Sequence, residues 1–343
     1  MSASTLSVLM CVYNHAAYVG EALEAILAQS YRPLEIIVID DGSTDGGAEV
    51  IARYAARDER IRFFSNDVNK GFLFSIQRGL ALVRGDYVFG AAADDKVLPG
   101  LFEKSMMLLE RYPDAGLCSA HSKVIGPAGQ DLGELWVPTI VTAPAYLPPD
   151  RALEILDRQC SWFLGNTAVY RRQALHDAGG FIPELGSFCD GFICMVLAAK
   201  HGACFIPETL AAWRRTDQNF SSQTGSDPRQ TLDIMDRAGT LMLTAYRDLF
   251  PPSFVRRWQR RWFADFLDGL TGRQRESVRL CAARVPSPTA RDRVYFWFLR
   301  AALCGITLVT KLYTVSRASL PGQLRIVRGK LRFGDGPGRA ARR

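Results

Sequence analysis

The chain has 343 residues, of which 48% are hydrophobic and 22% are charged, so it can bury a sizeable core and is neither disordered nor a small disulfide scaffold. Its eight cysteines form no CxxC pair and no zinc-finger spacing with histidine, which predicts reduced thiols in a cytoplasmic chain. The net charge of +7 is uneven, because residues 251–343 carry 20 Lys and Arg against 5 Asp and Glu, whereas residues 1–250 carry 22 against 30.

The N-terminal half alternates between short apolar runs and segments with helical spacing. The first residues lack the basic and long apolar stretches of a signal peptide, so we expect the folded domain to start almost at once. The patterns predict strands at 6–12, 34–39, 62–65 and 86–91, and helices at 16–29, 48–56 and 72–83. This alternation predicts a parallel, doubly wound α/β sheet whose ligand crevice lies at the carboxyl ends of the strands.

The second half of the chain has a less regular pattern. Residues 127–149 are rich in proline and glycine and predict irregular structure, and helices are expected at 152–158 and 189–200. From about residue 229 the sequence indicates successive helices with little strand signal. Residues 294–310 are apolar around Arg300, which favours a buried or membrane-lying helix over a membrane span.

Two acidic pairs follow predicted strands directly. Asp40 and Asp41 open the run DDGSTD, where Gly42 permits a sharp turn. A carboxylate there can accept hydrogen bonds from a ribose hydroxyl or a base N–H, although an Asp-rich turn that caps a helix explains the run as well.

The second pair, Asp94 and Asp95, follows the strand at 86–91. Adjacent carboxylates repel each other unless a cation offsets the repulsion, so a divalent metal that bridges a diphosphate is the natural partner. Two solvated loop acids are the simpler alternative. Because both pairs are expected at the same edge of the sheet, we favour a ligand site.

The motifs SVLMCVYN, EIIVIDDGSTD, NKGF and a hydrophobic strand that ends in ADD together resemble the nucleotide-binding half of the family 2 glycosyltransferases. The resemblance implies a GT-A fold over residues 1–222, with a nucleotide-binding half at 1–117 and an acceptor half at 118–222. Residues 223–343 are then a helical, basic C-terminal extension.

The resemblance also implies a role for each motif residue. Tyr13 and Asn14 line the nucleotide pocket, and Asp41 contacts the uracil base. Asp94 binds the ribose, and Asp95 holds the divalent metal cofactor, Mn²⁺ or Mg²⁺.

Two departures from the family pattern concern the diphosphate. Ala92 stands where many relatives have a further Asp, and Ile76 and Gln77 stand where many have an Arg-Asn pair. Lys70 or Arg78 is the candidate replacement cation.

The acceptor half resembles the family through GGF, CDGF and HGACFIPETLAAWRR. The carboxylate that acts as general base in the family falls on Asp190, for which a helix N-cap is the structural alternative. Arg214 is the candidate phosphate contact, with an exposed ion pair as its alternative, and Asp217 stands where relatives often have a histidine.

The resemblance implies an inverting transferase that moves sugar from a nucleotide-diphosphate donor, a UDP-sugar, to a hydroxyl of a glycan or lipid-linked acceptor in polysaccharide or glycolipid synthesis. We expect it in the cytoplasm, peripheral to the inner face of the membrane.

A dinucleotide-dependent oxidoreductase is disfavoured because GxGxxG is absent from the first turn. A catalytically inactive nucleotide-binding protein remains an alternative, as does nucleic-acid binding through the basic tail. Because the tail arginines alternate with aromatic and aliphatic residues, we prefer a membrane surface to nucleic acid.

Overall fold

A computed structural model describes residues 4–135, 137–159, 161–216 and 228–269, together with 290, 293 and 294. By its internal contacts the chain divides into two compact units, Met1–Leu249 and Phe250–Arg343. The division places the helix at 228–243 in the first unit, whereas the sequence predicts a boundary after residue 222.

The first half of the sheet domain follows the predicted alternation closely. Its elements are β1 Leu6–Val12, α1 Val19–Leu27, β2 Glu35–Asp40, α2 Gly47–Ala55, β3 Ile61–Ser65, α3 Phe72–Leu80 and β4 Tyr87–Ala92. The four strands pair in parallel in the order β3-β2-β1-β4. Strand β2 is buried along its whole length, which explains why its sequence is an unbroken apolar run between two acids.

The second half adds strands of mixed direction and the helices that cover them. Its elements are β5 Lys96–Val97, α4 Leu101–Arg111, β6 Leu117–Ile125, β7 Asp131–Leu135, β8 Ala145–Leu147, α5 Pro149–Gln159, β9 Val169–Arg171, α6 Arg172–Asp177, α7 Cys189–His201, β10 Ala203–Arg214 and α8 Pro228–Leu243, with 3₁₀ helices at Gly165–Thr167 and Pro183–Phe188. The sheet continues from β4 in the order β9-β6-β10-β5. Strand β9 runs antiparallel to both of its neighbours, so the sheet is mixed rather than wholly parallel, and the predicted α/β fold with a central sheet flanked by helices is confirmed.

The expectation of irregular structure at 127–149 was wrong for two short stretches. Strand β7 pairs with β6, and β8 pairs with β10. Most of β7 is solvent-exposed, so it carries no apolar alternation that a sequence pattern could reveal.

The core lies on both faces of the central strand β1. Val8, Met10 and Val12 pack into the main buried cluster together with residues of α1 and α4. On the opposite face Leu9 lies against α3 at Gly79, where an added Cβ would come within 2.2 Å of Leu9 Cδ1. Glycine at this position therefore allows the helix to approach the sheet.

The second unit begins with α9, Pro252–Gly269. Phe254, Val255 and Trp258 are buried on this helix, and it carries the repeated Arg pairs 256–257 and 260–261. Among the helices that the structure describes, none is both long enough and apolar enough to cross a membrane. The predicted apolar helix at 294–310 lies outside the described residues apart from Val294.

Candidate active site

The two acidic pairs lie at one edge of the sheet, as the sequence predicts. In the register of the parallel strands, Val12 of β1 is level with Asp40 of β2, and Cys11 is level with Ala92 of β4. Asp41 directly follows β2 and Asp94 follows β4 by two residues, so the two acids lie at the same edge of the sheet on either side of β1. Parallel strands with level carboxyl ends form the crevice in which α/β folds bind ligands.

The first acid of the DDGS turn is a structural support. Asp40 is 1% exposed, and its Oδ2 accepts hydrogen bonds from the Ser43 N–H at 3.2 Å and from the Ser65 hydroxyl at 3.3 Å. Its Oδ1 is buried without a partner among the described residues. Asp40 thus holds the turn between β2 and α2 from inside the protein.

Asn14 ties the loop after β1 to the same turn. It has a φ of 54°, its backbone N–H donates to Ser43 Oγ at 2.9 Å, and its Oδ1 accepts from the Thr44 N–H at 2.9 Å. The neighbouring Tyr13 is 42% exposed, so its ring is available to a ligand. A pocket-lining role for both residues stays a prediction.

Asp41 is held by a network that the sequence did not indicate. Its Oδ1 accepts hydrogen bonds from Asn66 Nδ2 at 2.7 Å and from the Lys70 backbone N–H at 2.9 Å. Asn66 in turn donates to Ser75 Oγ at 2.8 Å and accepts from the Arg78 guanidinium. Arg78, a candidate replacement cation, thus contacts the support of Asp41.

Asp94 and Asp95 form a buried pair. Burial raises the pKa of Asp94, and the nearby His15 acts in the opposite direction. Burial and the charge of Asp94 raise the pKa of Asp95 to about 8, against hydrogen bonds from the Arg214 N–H at 2.8 Å and from Asn166. A bound cation would stabilise the state in which both carboxylates are ionised.

Arg214, the candidate phosphate contact, is buried and bonded to protein groups, and its role towards a phosphate stays a prediction. The residue is 1% exposed, and its guanidinium donates to the carbonyl oxygens of Asp94 at 2.7 Å and Pro127 at 2.9 Å and to the Glu21 carboxylate. It also lies 4.7 Å from the centre of the Tyr18 ring. The ion pair of Arg214 with Glu21 is not an exposed one on the arginine side, and the buried guanidinium fixes the Asp94-Asp95 loop.

Asp190 lies in the first turn of α7 and accepts a hydrogen bond from the Gly191 N–H at 2.6 Å. Burial raises its pKa. A Cβ on Gly165 would lie 1.8 Å from Asp190 Oδ2, so only glycine fits against this carboxylate. The next residue, Asn166, lies close enough to Asp95 to lower its pKa, so one short 3₁₀ turn lies beside both acids.

The acidic pair fits a metal that arrives with a ligand better than a metal held by the protein alone. Among the described residues no group of three or more His, Cys, Asp and Glu side chains could hold a metal ion. One or two carboxylates completed by substrate phosphates is a common way to bind Mg²⁺. Asp95, the predicted metal ligand, provides such an incomplete set.

Comparison with known proteins identifies the family. The model of the glycosyl transferase family 2 matches residues 7–178, half of the chain, and the chain belongs to this family. An uncharacterized glycosyltransferase of Haemophilus influenzae is 40% identical over 120 residues, which cover 35% of this chain and 37% of that relative. The chain thus matches well under half of that relative's length.

Solved structures share the fold at low sequence identity. S. aureus TarS 1-349 in complex with UDP-GlcNAc has a TM-score of 0.64 and 15% identity, with 91% of each chain covered. The mannosyltransferase PcManGT from Pyrobaculum calidifontis, in complex with GDP-Man and Mn²⁺, has a TM-score of 0.56 and 16% identity over 96% of this chain and 80% of its own. The sheet domain therefore has the GT-A fold.

Proposed function

We propose that this protein is an inverting glycosyltransferase that moves a sugar from a nucleotide-diphosphate donor to a hydroxyl acceptor. The observation that supports it most is the arrangement of four acids near one edge of the sheet. Asp41 follows β2 and Asp94 follows β4, the parallel strands on either side of β1, and Asp190 packs against Gly165, whose neighbour Asn166 lies close to Asp95. Family membership supports the same activity.

Asp190 is the proposed general base. An inverting transfer needs one group that takes the proton of the acceptor hydroxyl while this oxygen attacks the anomeric carbon from the side opposite the diphosphate. The raised pKa of Asp190 makes its ionised form a stronger proton acceptor than a free aspartate. The Gly191 N–H and the close approach of Gly165 hold this carboxylate in place.

The donor is proposed to bind with its base at Asp41 and Tyr13 and its ribose at Asp94. When bound at Asp95, a divalent Mn²⁺ or Mg²⁺ ion would neutralise charge on the diphosphate leaving group. Neighbours of the same fold bind UDP-GlcNAc and GDP-Man with Mn²⁺, which supports a nucleotide-sugar donor. We propose a UDP-sugar and a glycan or lipid-linked acceptor in polysaccharide or glycolipid synthesis.

The test is nucleotide-diphosphate release from a panel of UDP- and GDP-sugars, with and without Mn²⁺. Asp190→Asn should lower kcat by at least about 100-fold and leave donor binding intact, because general-base catalysis typically contributes that much. The matched control is Asp150→Asn, which changes an exposed aspartate in the first turn of α5. Equal turnover in the two variants would remove Asp190 from the mechanism, and donor binding without any turnover by the unaltered protein would favour the inactive alternative.

We further propose that the C-terminal unit contacts an anionic membrane surface from the cytoplasmic side. The excess of Arg over acidic residues after position 250 and the Arg pairs of α9 support this. Sedimentation with vesicles that contain anionic lipid should pellet the full chain and should pellet less of a chain that lacks residues 290–343. Equal pelleting of both would count against the tail, and competition by duplex DNA would favour nucleic acid instead.

A further inference from the structure

Asn66 is the first residue after β3, and the register of the sheet places it beside Asp41. Asp40 is level with Ser65 in the pairing of β2 with β3, so the residues that follow each of them are neighbours. The Asn66 backbone N–H donates to the Asp40 carbonyl oxygen at 2.8 Å. Its side chain is 5% exposed and makes three hydrogen bonds to protein groups.

The chemistry of its partners fixes which end of the Asn66 amide faces Asp41. A guanidinium only donates hydrogen bonds, so the group that meets Arg78 must be the amide oxygen. The amide nitrogen is then turned towards Asp41 Oδ1 at 2.7 Å and Ser75 Oγ at 2.8 Å. A flipped amide would leave Arg78 facing a donor and Asp41 facing an acceptor.

This arrangement leaves Asp41 with one oxygen for a ligand. A carboxylate oxygen has about two acceptor positions, and those of Oδ1 are taken by Asn66 Nδ2 and the Lys70 N–H. Oδ2 has no hydrogen bond among the described residues. A base that presents a single N–H can bind to it, whereas the paired N–H groups on the edge of guanine need both oxygens of a carboxylate.

We propose that Asn66, oriented by Arg78 and Ser75, is a positioning residue that restricts Asp41 to one acceptor oxygen and thereby selects a uracil donor over a guanine donor. The inference rests on the proposed function, since it assigns the nucleobase specificity of that same site. Proteins with UDP-sugar and GDP-sugar both share this fold, so the fold alone does not decide between the bases.

The test measures the dissociation constants of UDP and GDP in the presence of Mn²⁺ by titration calorimetry. The unaltered protein should bind UDP at least about 10-fold more tightly than GDP, because a hydrogen bond to a charged group contributes at least that much. Asn66→Ala frees Asp41 Oδ1, so this ratio should fall about 10-fold, with weaker UDP binding and stronger GDP binding. Asn66→Asp keeps the volume but places an acceptor against Asp41, and UDP affinity should fall by a similar factor.

Two further variants separate positioning from general damage to the fold. Ser75→Ala removes one partner of the Asn66 amide with little change in volume, and it should lower the UDP-to-GDP ratio about threefold, as expected for one neutral hydrogen bond. Gln77→Ala removes an exposed amide from the same helix and should leave the ratio unchanged. The melting temperature of each variant identifies any that is unfolded.

The outcomes distinguish this inference from the proposed function. If the unaltered protein binds neither nucleotide, the proposed function fails. If it binds UDP more tightly than GDP but the Asn66 and Ser75 variants keep the ratio of the unaltered protein, only the role of Asn66 is overturned. A preference of the unaltered protein for GDP would overturn the single-oxygen argument and leave the proposed function standing.

Discussion

Arg214 is a buried arginine whose hydrogen bonds go to other groups of the protein. Its backbone N–H donates to the Asp95 side chain at 2.8 Å, and its Nε–H donates to the Asp94 carbonyl oxygen at 2.7 Å. One residue therefore fixes both acids of the pair. Loss of its side chain would leave carbonyl oxygens and the Glu21 carboxylate without their partner.

We predict that Arg214→Ala destabilises the protein by about 3–5 kcal/mol, the typical result of removing one partner of a buried charged pair. The matched control is Arg215→Ala, which removes an exposed arginine at the next position and should change stability by less than about 0.5 kcal/mol. Urea unfolding followed by circular dichroism measures both. Similar unfolding midpoints for the two variants would contradict the role of Arg214 in fixing the Asp94-Asp95 loop.

The raised pKa of Asp95 predicts that the stability of the metal-free protein depends on pH. Its pKa is raised from 3.8 to about 8 in the folded state, so between these values folding takes up a proton. Stability from this group is fully present below about pH 3.8, the ordinary value, and is lost as the pH rises through about 8. Asp95→Asn abolishes this titration while its side-chain oxygen can still accept from the Arg214 N–H.

The measurement is the free energy of urea unfolding of both proteins between about pH 5 and pH 8.5 with chelator present. Stability of the unaltered protein, taken relative to Asp95→Asn, should decrease as the pH rises and should level off above about pH 8. A difference that stays constant over this range would show that Asp95 ionises at an ordinary pKa in the folded protein.

At the scale of elements, the turn between β2 and α2 depends on a glycine for two separate reasons. Gly42 has a φ of 73°, and a Cβ at this position would lie 2.6 Å from the backbone carbon of Val68. Gly46 in the same turn has a φ of 85° but only Glu49 Oε2 near it, at 3.8 Å. A side chain at Gly42 would therefore cause both backbone strain and a clash with the β3–α3 loop, whereas a side chain at Gly46 would cause strain alone.

Alanine at these two glycines should separate the two effects. We expect Gly46→Ala to cost about 1 kcal/mol for the left-handed conformation, and Gly42→Ala to cost at least about 1 kcal/mol more because the backbone of the neighbouring loop must move. Thermal unfolding of both variants measures the difference. Equal losses of stability in the two variants would mean that the loop at Val68 moves away from the new Cβ at no cost in free energy.

The elements that the sequence predicts well are those whose burial is periodic. Strand β1 was predicted with its observed bounds, and β2 and β4 within one residue, because each is an apolar run of strand length bounded by polar residues. Short edge strands such as β7 lack such a signal. The positions of Asp41 and Asp94 could be predicted because strand ends place them, whereas those of Asn66 and Asn166 could not, since their partners lie far away in sequence. The burial of Arg214 could not be predicted, because burial at the end of β10 is a tertiary property.

At the scale of the whole molecule, the net charge of residues 1–250 is opposite in sign to that of residues 251–343. Residues 1–250 carry more acids than bases, and the proposed active site contributes Asp41, Asp94, Asp95 and Asp190. A nucleotide diphosphate is itself an anion, so its binding at such a site requires a cation. The described part of the chain supplies no metal cluster of its own, and the metal and the nucleotide are therefore expected to bind together.

We predict that Mn²⁺ and UDP raise the melting temperature together by more than the sum of their separate effects. Mn²⁺ alone meets only two buried carboxylates, and UDP alone brings uncompensated charge to them, so each should bind weakly and stabilise little. Differential scanning fluorimetry with Mn²⁺, UDP or both measures the three shifts. Asp95→Asn should abolish the excess of the combined shift, with Asp150→Asn as the control. A combined shift equal to the sum in the unaltered protein would mean that metal and nucleotide occupy independent sites, and the proposed role of Asp95 would then be wrong.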